Sequence, residues 1–416
     1  MKERANKIVR HPFFSGSFVM IAGTTLANVV AYLYHLVFGR LLGPGGYGEL
    51  AALLSLFTIV ITLFSFLSLV VVKFVSSEDE GGIKRFYAWI KQKLFLFGLV
   101  ILVILLLLTP LFERFLHLDF TLLLFIPFIV FFEIVVIVVR AFLQGLLRFF
   151  QLVVVSNIEL LSRLLFGVLL VAVGMGVHGA AAGIMIGAVL AFFLGRKFLS
   201  DLSGRKEDPG DFLKKRDLFY YSLPTFIFTL GINSLYTSDL LLVKHFFSAE
   251  TAGIYASLST LGKVVYFGVS PISSVMFPLV SNRFSRGKSY LPFFVLSVVA
   301  AIGIATFVIA FYYIFSNFAV SLLFGEKFLE AGGYLGKFGL FIGFLSLSYL
   351  FVSFFLCTDR KKIAFLTGVA ALAQIIGVVM FHANLDEVIN VSLTAVSLFL
   401  ALLIIYFAYD FRKSRR

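Results

Sequence analysis

Apolar residues run along this chain in twelve long blocks, each parted from the next by a shorter polar stretch. Crossing the hydrocarbon layer of a bilayer takes ~20 consecutive apolar residues in a helix. The blocks at 13–38, 47–72, 92–112, 120–143, 150–174 and 178–199 have that length. So do those at 218–243, 251–279, 290–315, 333–357, 362–382 and 388–409. The first is too long for a secretory leader and has no small-residue cleavage site, so it reads as a span. In lipid each backbone N–H and C=O must find its partner inside the segment, which makes every span a helix. The pattern predicts an all-α polytopic membrane protein with about twelve spanning helices.

The one sizeable hydrophilic break is 201–217, DLSGRKEDPGDFLKKRD. It divides the chain into an N-terminal lobe, 1–200, and a C-terminal lobe, 218–416, of six helices each. The halves repeat at an offset of 205 residues. Ser17 then falls on Ser222, Thr24 on Thr229, Asn28 on Asn233, Gly48 on Gly253 and Leu56 on Leu261. Six helices is an even number, so the lobes share one orientation. That predicts parallel repeats about an axis along the membrane normal, with a substrate site between them.

Composition sharpens this. The chain is 60% hydrophobic and 14% charged, with a mean hydropathy of +1.03, more apolar than a water-facing surface allows. A net charge of +13 suggests nucleic acid until the charges are located. They lie in short clusters between spans, with no basic groove interleaved with stacking aromatics. Alternate loops hold most of the 35 basic residues. These are Lys2 to Arg10; Lys73, Lys84, Arg85, Lys91 and Lys93; Arg140 and Arg148; and Arg196 to Arg216. Arg283 to Lys288, Arg360 to Lys362 and Arg412 to Arg416 complete the set. The opposite loops hold Arg40, Arg114, Lys244 and Lys327. Cytoplasmic loops carry the excess of Lys and Arg, so both termini are expected in the cytoplasm. A single cysteine, Cys357, excludes an intrachain disulfide and a thiolate metal cluster.

Polar residues inside the spans are the candidates for chemistry. On the first helix Ser17, Thr24, Asn28 and His35 share a face; on the seventh, Ser222, Thr225, Thr229, Asn233 and Tyr236 do so. The second carries Ser55, Thr58, Thr62 and Ser65, and the eighth Thr260, Lys263, Ser270 and Ser274. Two readings stand: a shared polar cavity, or polar glue between helices. Lys263 lies about twelve residues, or ~18 Å, into its span. A cation at that depth costs roughly 2.5–3.5 kcal/mol on insertion scales. It therefore faces water and an anion, or forms half of an ion pair. Glu159 stands four residues before Arg163, the spacing of a local helical pair. Glu133 has no such neighbour; it either binds a coupling ion or meets Arg163 across the bundle. Gly179, Gly183, Gly187, Ala191 and Gly195 make a close-packing face on the sixth helix. The scattered histidines make no metal site.

The turn after the first helix reads GRLLGPGGYGEL from Gly39 to Leu50. Its Gly and Pro suit a tight reversal at the membrane surface. This segment resembles the first-hairpin signature of the Wzx-type polysaccharide flippases of the multidrug/oligosaccharidyl-lipid/polysaccharide (MOP) exporter superfamily. DLLLVKHFFSAETAGIYASLSTLGK, Asp239 to Lys263, and PISSVMFPLVS, Pro271 to Ser281, resemble that family's seventh and eighth helices. The related lipid II flippases carry two further C-terminal helices and a basic residue on the second helix, where Thr58 stands here.

The resemblance implies a two-lobe, MATE-like fold, no catalytic cofactor, and a transporter of polyprenyl (pyro)phosphate-linked oligosaccharide in the cytoplasmic membrane. A glycan polymerase or glycosyltransferases are the implied partners, and nucleic acid is not. The cavity set is then Lys263, Arg163, Asn28, Asn233, Thr24, Thr229, Thr58 and Arg40. Glu133, Glu159 and Asp239 are the carboxylates for coupling to protons or sodium, beside the membrane potential. A cation-coupled multidrug exporter of the same superfamily is the alternative; it favours acidic cavities, and the first helix has no acid. A membrane-embedded glycosyltransferase or polymerase needs charged external loops, and the longest here, 316–332, holds only Glu326, Lys327 and Glu330. No nucleophile, phosphate loop or metal spacing is present.

Overall fold

The computed structural model describes residues 12–76, 78–202 and 216–414. The termini and most of the 201–217 break lie outside the described residues. Helices form the regular structure of what is described. They are α1 (Pro12–Thr62), α2 (Ser65–Val75), α3 (Glu80–Leu116), the single turn α4 (Phe120–Leu123), α5 (Phe125–Gly145), α6 (Phe149–Leu170) and α7 (Gly176–Phe198). Then come α8 (Arg216–Leu235), α9 (Ser238–Phe246), α10 (Ala249–Ser285), α11 (Leu291–Ile314), α12 (Ser316–Leu323), α13 (Gly332–Cys357), α14 (Ala364–Met380) and α15 (Leu385–Ser414).

The twelve apolar blocks all fall on helices, with local differences. The first two are arms of one element, α1, bent at Gly43, whose backbone leaves the helical region (φ 67, ψ −178). Glycine adopts that conformation without a Cβ clash, and Pro44 opens the second arm, where its missing N–H costs nothing. The second block breaks again after Thr62, and the seventh breaks between α8 and α9. α6 and α7 meet through a π-helical turn, Val171–Met175, with positive φ at Gly174 and Gly176. Large apolar side chains face outward along α3 and α11, among them Leu107 (76% exposed) and Phe307 (76%). Water would penalise such a face and lipid accepts it: this is a multi-pass membrane protein.

The chain forms two compact units. The first comprises Met1–Leu42 and Val60–Leu223, the second Gly43–Ile59 and Pro224–Arg416. One boundary falls after Leu223, past the break expected at 201–217, and it is only half of the division. The other half falls inside the first hairpin, because 43–59 packs with the C-terminal helices. Tyr47, fully buried, shares a 2.8 Å hydrogen bond with Thr260 of α10. Gly48 sits against the backbone of Ala249, Ala252 and Gly253, and a Cβ on Gly253 would run into Pro44. Gly48 and Gly253 are repeat-mates at the 205-residue offset. The GPGGYG segment is thus a packing device of the second unit as well as a turn.

In the first unit, the small-residue face of α7 lies directly on the backbone of α6. A Cβ on Gly183 would meet the Gly167 nitrogen at 2.5 Å and the Arg163 carbonyl at 2.8 Å. One on Gly187 would meet the Glu159 carbonyl at 2.7 Å. These contacts set the depth and rotation of α6, and so the placement of Glu159 and Arg163. Gly183→Val is expected to force the helices apart and to cost roughly 1–3 kcal/mol, as overpacking does. A thermal melt of the detergent-solubilised variant should show the lowered transition; an unshifted melt would mean the two backbones are not in contact.

Candidate functional site

Each unit holds a buried polar cluster among the described residues. In the first, α5 contributes Glu133 and Arg140, two helical turns apart on one face, and α6 contributes Glu159 and Arg163. The Arg140 guanidinium donates to Glu133 Oε1 at 3.2 Å and also bonds Glu159 Oε2. The side chains of the two carboxylates are only 9% and 15% exposed. The local Glu159–Arg163 pair expected from four-residue spacing does not form, because Arg140 takes Glu159 from the neighbouring helix. Glu133 likewise finds Arg140 and not a direct bond to Arg163, although the Arg163 charge acts on it at longer range.

Arg163 instead lies over the ring of Tyr34 on α1, its guanidinium carbon 4.0 Å from the centroid. Its buried Nε has no hydrogen-bond partner among the described residues. Tyr34 in turn is held by Ala180 of α7 through a 3.4 Å hydrogen bond. Arg140 was placed in a loop by its position near the end of an apolar block; it lies within α5. The signal that could have found it is the seven-residue spacing to Glu133, which puts both side chains on one face.

Thr24 and Asn28 are exposed on the first arm of α1. Thr24 lines a cavity of about 280 Å³ with Gly23, Ala27, Ser156 and Asn157. Asn157, from α6, donates to the Gly23 carbonyl at 3.1 Å. Arg40 is exposed three residues before the Gly43 bend, outside both clusters.

In the second unit Lys263 projects from α10 towards Tyr236, its ammonium 5.7 Å from the ring centroid. Tyr236 donates to Asn233 Oδ1 at 2.6 Å. Tyr266 packs against both Tyr236 (6.2 Å) and Tyr349 (5.6 Å), and Phe228 stacks on Tyr349. Lys263 therefore lies beside Tyr236, which links it to a cluster of phenols and an amide. It has an acidic neighbour that residue spacing concealed: Asp239 of α9, whose charge acts on it. Asp239 is itself 1% exposed and accepts from Tyr255 at 2.7 Å. Ser392 of α15 lies within hydrogen-bonding reach of the same phenol and accepts from Gln374 of α14 at 2.9 Å. Gln374 Oε1 is buried with no partner among the described residues.

Thr58 and Thr229 do not present free hydroxyls. Thr58 donates to the Leu54 carbonyl and Thr229 to that of Thr225, each at 2.8 Å, one turn back on its own helix. Ser and Thr in helices commonly bond back in this way. Lys244 is not a loop residue: it is buried in α9, where the charge of Glu49 from the GYGEL segment acts on it.

Outside the spans, Arg148 ties the start of α6 to the end of α7, donating to Asp201 at 3.0 Å and to the Phe198 carbonyl at 2.9 Å. That hydrogen bond holds the Asp201 carboxyl below its ordinary range.

Residues 13–284 match the family described as "Polysaccharide biosynthesis protein", and the chain belongs to that family. No curated protein matches it. Among solved structures it is similar to an inward-facing multidrug resistance MATE family transporter of the MOP superfamily. The TM-score is 0.76 at 14% identity, over 95% of this chain and 98% of that one. It is equally similar to the lipid II flippase MurJ in an inward closed conformation, with a TM-score of 0.76 and 14% identity over 95% of this chain and 87% of that one. A MOP superfamily transporter from Pyrococcus furiosus, described as having a binding pocket of reversed polarity, has a TM-score of 0.62 and 15% identity, over 94% of each chain. The fold is that of the MOP transporters.

Proposed function

We propose that this protein flips a polyprenyl (pyro)phosphate-linked oligosaccharide across the cytoplasmic membrane by alternating access. The observation that carries the reading is Lys263, a cation held inside a span beside Tyr236, which joins Asn233, Tyr266 and Tyr349 in one cluster. An anionic head group needs a cation where water is scarce. Phenols and amides offer both flat apolar faces and hydrogen bonds, which is what a sugar needs. The polysaccharide biosynthesis family and the likeness to a lipid II flippase support the substrate class.

Lys263 and Asp239 lie in one cluster, so binding an anion at the lysine perturbs the charge balance of the carboxylate. Asp239 is then the group through which a proton or sodium ion couples, and the membrane potential adds about 2.3 kcal/mol per charge per 100 mV. The test is flipping of a fluorescent polyprenyl-phosphate sugar in proteoliposomes, with and without an imposed gradient. A protein that leaves the labelled lipid on one leaflet yet expels cationic dyes is a multidrug exporter. Against that outcome, Arg140 already neutralises one of the two acids in the first cluster.

The distribution of Lys and Arg supports a cytoplasmic location for the termini and the 201–217 segment. Single cysteines placed there in a Cys357→Ala background should resist a membrane-impermeant maleimide in intact cells and react after lysis. Labelling of 201–217 from outside would reverse the orientation.

A further inference from the structure

We infer that a lateral cavity of the first unit binds an anionic phospholipid from the surrounding bilayer, at a site separate from both polar clusters. The cavity measures about 560 Å³ and opens between α3, α5 and α7, within the roughly 300–1,000 Å³ of ordinary ligand pockets. Its inner walls are apolar: Leu94 and Phe95 from α3, Val135 and Val138 from α5, Phe192 from α7. Phe95 at the lip is 58% exposed, so the opening lies on the lipid-facing surface that continues along α3.

The mouth carries two cations, Lys91 at the entry of the third apolar block and Arg196 in the last turn of α7. Both are exposed, and among the described residues neither has a carboxylate within ion-pair distance. Two other cations at the same end are paired, Lys84 with Glu80 at 2.6 Å and Arg148 with Asp201, and of the exposed cations there it is Lys91 and Arg196 that line the cavity. Two uncompensated cations at head-group depth, over an apolar slot that runs into the membrane, match the two halves of an anionic lipid. The phosphate sits between Lys91 and Arg196, and an acyl chain fills the slot. Arg196 already lies near an aromatic face, 5.4 Å from the Phe192 centroid, and Gln92 adds a polar group at the rim. A plain helix-dipole role explains a cation in the last turn of α7. It does not explain the cavity, or the second cation on a different helix. Basic pockets between spanning helices are where anionic head groups dock.

The chain supplies its own reporter. Trp89 is its one tryptophan, and it stands on α3 between Ala88 and Ile90 of the cavity lining. In phosphatidylcholine nanodiscs, a small fraction of brominated phosphatidylglycerol is expected to quench Trp89 more than the same fraction of brominated phosphatidylcholine. Lys91→Gln with Arg196→Gln should lower the preference on the order of tenfold, bringing the two lipids close together. Ala88→Phe keeps both charges and fills the slot; it should abolish the excess too, and it decides the matter if the charge variant does not fold. Equal quenching by both lipids in the wild-type protein would overturn the proposal. So would an excess that survives in Ala88→Phe, since it would come from diffuse attraction to a basic surface and not from this cavity.

Discussion

Lys263→Ala is expected to abolish or strongly reduce flipping of a polyprenyl-phosphate sugar while the protein still inserts and purifies. A charge-assisted hydrogen bond to the phosphate contributes about 1.5–3 kcal/mol net, and losing it removes the cation that stabilises the head group inside the span. Lys263→Arg should keep part of the activity, because the charge survives while the donor geometry changes. The structure adds a control that spacing alone did not offer. Asp239 acts on Lys263, so a purely structural ion pair predicts that Lys263→Ala lowers the thermal transition and that adding Asp239→Asn restores both stability and transport. Phosphate binding predicts a transport loss that Asp239→Asn does not repair. Wild-type flipping by a well-folded Lys263→Ala protein would reject the role assigned here.

Arg140→Met should be the most destabilising single change in the first unit. It strips the shared guanidinium from Glu133 and Glu159, whose side chains are 9% and 15% exposed. Removing one partner of a buried ion pair costs roughly 3–5 kcal/mol, because the remaining charge is left uncompensated. Thermal melts and yield from the membrane report it. Glu133→Gln with Glu159→Gln in the same chain should recover most of the loss, since neutral amides do not need the cation. Arg140→Lys should recover less, as one ammonium lacks the planar fork that reaches two carboxylates on different helices. If Arg140→Met melts like the wild type, the cluster is not what holds α5 against α6.

The spans were legible because they rest on a local property. Long apolar blocks of the right length fix where the helices run, and each of the twelve is helical in the structure. The small-residue face from Gly179 to Gly195 was equally plain: four-residue spacing is local geometry, and the contact of Gly183 and Gly187 with the α6 backbone follows from the missing Cβ atoms. The repeat offset, too, could be counted along the chain, and it pairs Gly48 with the Gly253 it packs beside.

Charge pairing was not legible, because it depends on which helices become neighbours. Four-residue spacing gave Glu159 to Arg163, yet Arg140, an identical side chain on the neighbouring α5, takes it. Lys263 looked solitary along its own helix, while Asp239, on α9, comes near it only when α9 and α10 pack together. Tyr236 lies in the turn after α8, while Tyr266 and Tyr349 belong to α10 and α13, so no periodicity marks them as one cluster.

The sequence by itself determined the number, placement and character of the membrane helices, since burial in lipid acts on each segment independently. Only the tertiary structure decided that 43–59 packs with the C-terminal helices, that Arg140 bridges two carboxylates, and that the charge of Asp239 acts on Lys263. Those are contacts between segments distant in the chain, set by side-chain length, close packing at glycine and the need of each buried charge for a partner.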